Sequence, residues 1–194
     1  MQIYPDRESK VPKYSYPSIF SDQIKALEKD EIIKRLNASR NIYKDDPFRP
    51  NFHYVNPENT LNDPNGLCFW KGYWHLFYQA YPPEDTRQHW GHAYSKDLVH
   101  WKDLPYAIYP NPEEACFSGA TYVEDNKVIA IYHGTKVGNM IAISKDDLLL
   151  NWEKINDNRP VIDIQSEDGS KLPYRVFDPV SYTHLRAHET GRNL

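Results

Sequence analysis

The pattern of apolar and polar positions changes style once along the chain. From residue 51 onward, short apolar runs at 67–70, 74–79, 91–95, 120–124, 128–133 and 140–144 alternate with turn-type residues. They are rich in aromatic and β-branched side chains, which predicts strands. Before them, residues 1–20 are polar and carry Pro5, Pro12 and Pro17, which predicts an extended, partly disordered lead. Ser21 or Asp22 is the predicted cap of a helix running to about Ser39. Ile24, Leu27, Ile32 and Leu36 fall on roughly one face of it, as in a surface helix that docks on a larger domain. Asp46-Pro47-Phe48-Arg49-Pro50 closes that segment.

The strand-like half repeats. Tyr73-Trp74-His75-Leu76-Phe77-Tyr78-Gln79 aligns with Lys127-Val128-Ile129-Ala130-Ile131-Tyr132-His133, and Ser95-Lys96-Asp97 returns as Ser144-Lys145-Asp146, followed by Trp101 and Trp152 respectively. Four short strands about every 50 residues mark a β-propeller blade. Two unrelated hairpin meanders are the alternative, but here the elements recur in the same order. Blades are expected over about 60–110 and 115–160, with a third starting near Tyr174. The expected organisation is an extension with one α-helix over 1–46, an all-β partial propeller over 47–179, and a tail over 180–194. In that architecture polar motifs ahead of the innermost strands converge at the mouth of the central channel. They are Asn62-Asp63, Phe117-Ser118-Gly119 and Phe177-Asp178-Pro179.

Composition narrows the partners. The 194 residues carry 23 basic and 27 acidic side chains, a net charge of −4, without a basic stripe, so nucleic acid is not an expected partner. No apolar run is long enough to span a membrane, and Met1-Gln2-Ile3-Tyr4-Pro5-Asp6 shows no secretory signal. Cys68 and Cys116 read as buried thiols of a reducing compartment, and the cytoplasm is the expected location. Fifteen Tyr and 5 Trp lean towards turn-rich β-structure.

The candidate chemistry centres on Asn62-Asp63-Pro64-Asn65-Gly66. Proline supplies no backbone donor and Asn-Gly favours positive φ, which predicts a rigid turn that holds Asp63 at the mouth of a strand between two carboxamides. Such a carboxylate suits an anionic nucleophile or base, and a purely structural Asp-Pro turn is the alternative.

These residues resemble glycoside hydrolase family 32. The likeness is carried by Asn62 to Gly66, Arg49-Pro50-Asn51-Phe52-His53, Trp90-Gly91-His92-Ala93, Ser95-Lys96-Asp97-Leu98-Val99-His100-Trp101 and Phe117-Ser118-Gly119. The resemblance implies a five-bladed propeller and retaining hydrolysis of terminal β-D-fructosyl units in sucrose, sucrose phosphate or fructans, with no metal or organic cofactor. It implies Asp63 as the nucleophile and Asp178 as the transition-state stabiliser. Asn62, Gln79, Trp90, Phe117 and Ser118 would shape the fructosyl subsite. Amide donors such as Asn62 would keep Asp63 ionised, Gln79 would bond sugar hydroxyls, and Trp90 would offer an apolar wall. Tyr78 and Tyr81 read as packing residues.

Two departures stand out. Phe177 precedes Asp178 where the family usually has Arg, and the family's Glu-Cys acid/base motif does not occur. Glu113 and Glu114 read as exposed loop charges. After Pro179 the chain turns basic and polar, and residues 180–194 read as a non-native tail of a truncated, inactive and unstable fragment. His184 and His188 with Glu189 supply too few ligands for a metal site. An inverting propeller glycosidase acting on arabinosyl or xylosyl substrates and a non-catalytic sugar-binding module are the competing readings. Oligomeric state is not legible.

Overall fold

The computed structural model describes residues 4–50, 52–166, 170 and 172–180. Asn51 of the Arg-Pro motif and residues 181–194, with His184, His188 and Glu189, lie outside them. So does most of the tail. Two antiparallel meanders form the body. The first runs β1 (Pro64–Trp70), β2 (Tyr73–Ala80), β3 (His89–Ser95) and β4 (Trp101–Ile108), in that order across the sheet. The second runs β5 (Cys116–Glu124), β6 (Lys127–Gly134), β7 (Gly138–Ser144) and β8 (Glu153–Lys154). A short β9 (Ile162–Asp163) shares the outer edge of β7 with β8.

The repeat is real at atomic detail. Residues 73–79 and 127–133 are the second strands of their sheets. The Ser95 hydroxyl donates to Asp97 and the Ser144 hydroxyl to Asp146, each at 3.1 Å. The indole N–H groups of Trp101 and Trp152 donate to the carbonyls of Leu98 and Leu149 at 3.1 and 2.7 Å. These are two propeller blades. Their facing sides make one core in which Cys68, Trp70, Phe77 and Trp90 meet Val128, Ala130, Tyr132, Met140 and Trp152. Thr121 on β5 donates to the Gly66 carbonyl on β1 at 2.8 Å, joining the two innermost strands.

Several expectations needed correction. The Asn62–Gly66 run is not a free turn: β1 begins at Pro64 and contains a bulge between Asn65 and Cys68, with Gly66 at φ +58°. Proline is tolerated because it is the first residue of an edge strand. The fourth strand β4 contains Pro105, which also fits an outer strand whose free edge needs no donor. The single expected helix is two, α1 (Phe20–Leu27) and α2 (Glu31–Ile42). Asp30 divides them, because its carboxylate accepts from the Ile33 N–H at 2.9 Å and so starts a new helix. Ser21 and Asp22 lie inside α1, and its cap, Ile19, offers no side-chain bond.

The N-terminal lead is not disordered where it is described. It is a strap tied to both sheets. Ser9 Oγ lies 2.6 Å from His89 Nε2, Arg7 donates to the Pro112 carbonyl at 2.6 Å, and the Tyr16 N–H donates to Asn151 at 2.8 Å. α1 follows it onto the second blade, where the buried Gln23 donates to Asp146 at 2.6 Å and accepts from the Leu148 N–H at 3.0 Å. Glu114 is exposed, but Glu113 is not: it is 0% exposed. Its carboxylate takes Lys154 Nζ at 2.5 Å, the Tyr132 hydroxyl at 2.7 Å and the Cys116 thiol at 3.3 Å. Cys68 and Cys116 are free and buried, and burial pushes the Cys68 thiol up to about 11. Among the described residues no helix is long and apolar enough to cross a membrane.

Candidate active site

The site lies where the innermost strands begin. Asp63 precedes β1, and its backbone carbonyl accepts from the Gln79 N–H at 3.0 Å, while the Asn62 N–H donates to the Gln79 carbonyl at 3.1 Å. That pairing places the side chains of residues 62, 63 and 79 beside one another. The second blade brings Ser118 to them. A bulge between Cys116 and Gly119 in β5 displaces residues 117 and 118 from the regular pairing. Gly119 permits it, since a Cβ there would stand 2.1 Å from the Ile131 carbonyl oxygen.

One carboxylate oxygen of Asp63 is held and the other is open. Oδ2 accepts from the Ser118 hydroxyl at 2.9 Å and from Gln79 Nε2 at 3.4 Å. Gln79 Nε2 also donates to Ser118 Oγ at 2.9 Å. The donors are therefore Ser118 and Gln79, not Asn62, whose amide instead donates to Gln79 Oε1 at 2.8 Å. Asp63 itself is exposed.

Asp178 reaches the same opening from the segment after the second blade. Its carboxyl is held above the ordinary carboxylate range, first by partial loss of solvent, with His133 opposing the rise and the negative Asp63 adding to it. Asp63 thus lies close enough to Asp178 to add to that rise. Phe177, 66% exposed, stacks on His133 with centroids 5.1 Å apart, and Phe117 meets the same ring edge-on at 6.1 Å. Both phenylalanines contact one imidazole, and the Phe177 contact ties the residue next to Asp178 to β6.

Trp90 does not wall the opening. It is 0% exposed, packed between the blades against Tyr132, and its indole N–H donates to the Phe117 carbonyl at 2.9 Å. It supports the bulge that presents Ser118 from behind. Tyr78 is buried against Tyr54. Tyr81, read as packing, has its hydroxyl in the polar cluster, 2.6 Å from Gln88 Nε2. Gln88 belongs to no motif, and no sequence signal marks it. His133 could have been found, because it occupies in the second blade the place that Gln79 occupies in the first. A separate cavity of about 920 Å³ lies under the strap, lined by Lys13, Tyr109, Trp152 and Lys154, and contains none of these residues. Among the described residues no group of three His, Cys, Asp or Glu side chains could hold a metal ion.

Comparison with known proteins bears on the same stretch. The description "Glycosyl hydrolases family 32 N-terminal domain" matches residues 53–184. The chain belongs to glycoside hydrolase family 32. Among its family-32 relatives, the levanase of Bacillus subtilis is 40% identical over 141 residues, which is 65% of this chain and 21% of the levanase. A sucrose-6-phosphate hydrolase of Zymomonas mobilis is 44% identical over 104 residues, 51% of this chain and 19% of that protein. The chain thus spans about a fifth of the length of these relatives. Of solved family-32 structures, the Bombyx mori β-fructofuranosidase in complex with sucrose superposes with a TM-score of 0.58 at 30% identity, covering 80% of this chain and 35% of that one. The Cichorium intybus fructan 1-exohydrolase IIa in complex with 1-kestose gives 0.56 at 34% identity, covering 62% and 25%.

Proposed function

We propose that this chain supplies the nucleophilic half of a retaining hydrolase for terminal β-D-fructofuranosyl units. The observation that carries the reading is the asymmetry of Asp63: Oδ2 takes two donors, while Oδ1 has no hydrogen-bond partner among the described residues and the side chain is exposed. A retaining glycosidase needs one fixed, ionised carboxylate that can reach the anomeric carbon. The open oxygen of Asp63 attacks C2 of the fructosyl unit, and the bond from C2 to the leaving oxygen breaks. Ser118 and Gln79 keep the carboxylate from rotating away. Asp178 bonds sugar hydroxyls as positive charge develops at C2. Water then attacks C2 and frees Asp63. The leaving oxygen takes its proton from a carboxyl outside this cluster, since Glu113 is consumed by Lys154. The sugars named for the relatives, levan, fructan and sucrose 6-phosphate, share the terminal fructosyl unit that this site would take.

A donor whose leaving group needs no proton isolates this half-reaction. With β-D-fructofuranosyl fluoride, Asp63 attack expels fluoride and leaves a fructosyl ester on the protein. Intact mass spectrometry should show a single fructosyl adduct that maps to the Asp63 peptide and vanishes in Asp63→Ala. An inverting site forms no such ester. No adduct, or one that survives Asp63→Ala, removes Asp63 from the mechanism.

A further inference from the structure

We infer that Gln88 is a positioning residue of this site: it determines which end of the Gln79 carboxamide faces Asp63. The inference rests on the nucleophile reading above and deepens it. A carboxamide has nearly the same shape either way round, so packing does not choose its orientation and hydrogen-bond partners must. At Gln79 the choice is made from behind. Its Oε1 accepts from Asn62 Nδ2 at 2.8 Å and from Gln88 Nε2 at 2.8 Å, which occupies both lone pairs. The amide nitrogen is thereby turned forward, to Ser118 Oγ at 2.9 Å and Asp63 Oδ2 at 3.4 Å.

The direction matters because the Ser118 hydroxyl has one proton. While it accepts from Gln79, its own proton is available for Asp63 at 2.9 Å. With Gln79 reversed, the serine proton would be drawn to the amide oxygen, and that oxygen would also face the carboxylate. Both bonds to Asp63 would be lost together, and behind Gln79 three amide N–H₂ groups would face one another.

Of the two residues behind Gln79, Gln88 is the fixed one. Asn62 is half-exposed, whereas Gln88 is 7% exposed and its Nε2 is also held by the Tyr81 hydroxyl at 2.6 Å. Its backbone carbonyl accepts from the Cys116 N–H at 2.9 Å, so it also ties down the start of β5, the strand that carries Ser118. The arrangement costs stability. Gln88 Oε1 is buried without a hydrogen-bond partner among the described residues, a state that proteins usually avoid. An apolar side chain of the same length would remove that cost. A buried, unpaired amide oxygen beside the proposed nucleophile is the kind of local conflict that marks functional sites.

The test uses the 194-residue chain with Gln88→Met, which has no donor, and Gln88→Glu, which donates to Gln79 only while protonated. Labelling by β-D-fructofuranosyl fluoride is followed with donor concentration and pH, alongside the melting temperature and the side-chain amide resonances of Gln79. For Gln88→Met the saturating labelling rate should fall at least about tenfold. Its half-saturating donor concentration and melting temperature should stay unchanged or the melt rise. For Gln88→Glu the rate, relative to the parent at the same pH, should recover towards acid and collapse as pH rises. An unchanged rate in both variants, or a loss that only tracks a lowered melting temperature, overturns the inference. If the parent chain itself takes no label, the nucleophile reading has failed. The Gln79 resonances then decide the positioning separately, since they must move in Gln88→Met for Gln88 to hold that amide.

Discussion

Ser118 and Glu113 show how residues of ordinary type acquire their roles from partners. Ser118 gives Asp63 its nearest hydrogen bond, to an exposed carboxylate. Hydrogen bonds to charged groups contribute about 1.5–3 kcal/mol, so Ser118→Ala should slow fructosyl labelling by roughly tenfold to a hundredfold while the melting temperature stays put. An unchanged labelling rate would show that the hydroxyl does not position the nucleophile. Glu113 sits at the opposite extreme, buried with Lys154 Nζ at 2.5 Å and with that ammonium also bonded to the carbonyls of Tyr109 and Asn111. Removing one partner of a buried pair strands the other charge, so Glu113→Ala should cost about 3–5 kcal/mol in urea unfolding. A loss below about 1 kcal/mol would mean that the pair is solvated in solution. Neither environment can be read from residue type. Asp63, Asn62 and Ser118 stand out in the sequence by the short motifs that hold them and Gln79 by the family resemblance, whereas Glu113 and Trp90 were misplaced because burial depends on what the rest of the chain puts over them.

At the scale of elements, the bulges matter more than the strands. Both innermost strands break register near the opening, β1 between Asn65 and Cys68 and β5 between Cys116 and Gly119. A bulge re-aims a side chain, and the one in β5 contains Ser118, which bonds Asp63 at the start of the regular ladder of β1. Gly119→Ala tests this, because the added methyl meets backbone atoms of Ile131 and Tyr132 rather than a flexible side chain. The expected outcome is a stability loss of about 1–3 kcal/mol with labelling lost beyond what the melt explains. Retained labelling at full rate would show that β5 tolerates a regular ladder. Six of the nine strands among the described residues were legible from apolar runs. The fourth strand was not, because Pro105 reads as a breaker unless the strand is known to lie at an edge. The helix break was also hidden, since Asp30 reads as one more polar position until its carboxylate is seen on the Ile33 N–H.

At the scale of the molecule, the buried imidazoles tie stability to pH. His75 and His89 are each pushed down to about 4 by burial, and His92 is pushed well below its ordinary value by burial and by His75, its neighbour at 3.0 Å. These groups stay neutral when folded and take up protons when unfolded. Their contribution is therefore complete above about pH 6.5 and is lost as the pH falls towards 4, on the order of 3 kcal/mol for His75 alone. The urea midpoint should drop steeply between pH 7 and pH 5, and a flat profile across that window would contradict neutral burial.

The second blade poses the other whole-molecule question. Ile129 pairs with Ile143 and Ile131 with Ile141 on its outer side, and all four are half-exposed. Blades bury such faces against neighbours, so the chain should bind apolar dyes and self-associate at micromolar concentration in sedimentation velocity. A monodisperse monomer that binds no dye would sink that expectation.

Local pattern was enough to determine the blade repeat, the family likeness and the placement of Asp63 beside the first strand, because alternation, turn chemistry and rare tripeptides act over a few neighbouring residues. The tertiary structure alone decided that Ser118 and Gln79 rather than Asn62 hold Asp63, that Gln88 backs them, and that the leading segment is a strap. Those facts are pairings between residues dozens of positions apart, and a hydrogen bond exists only once packing has brought both of its ends together.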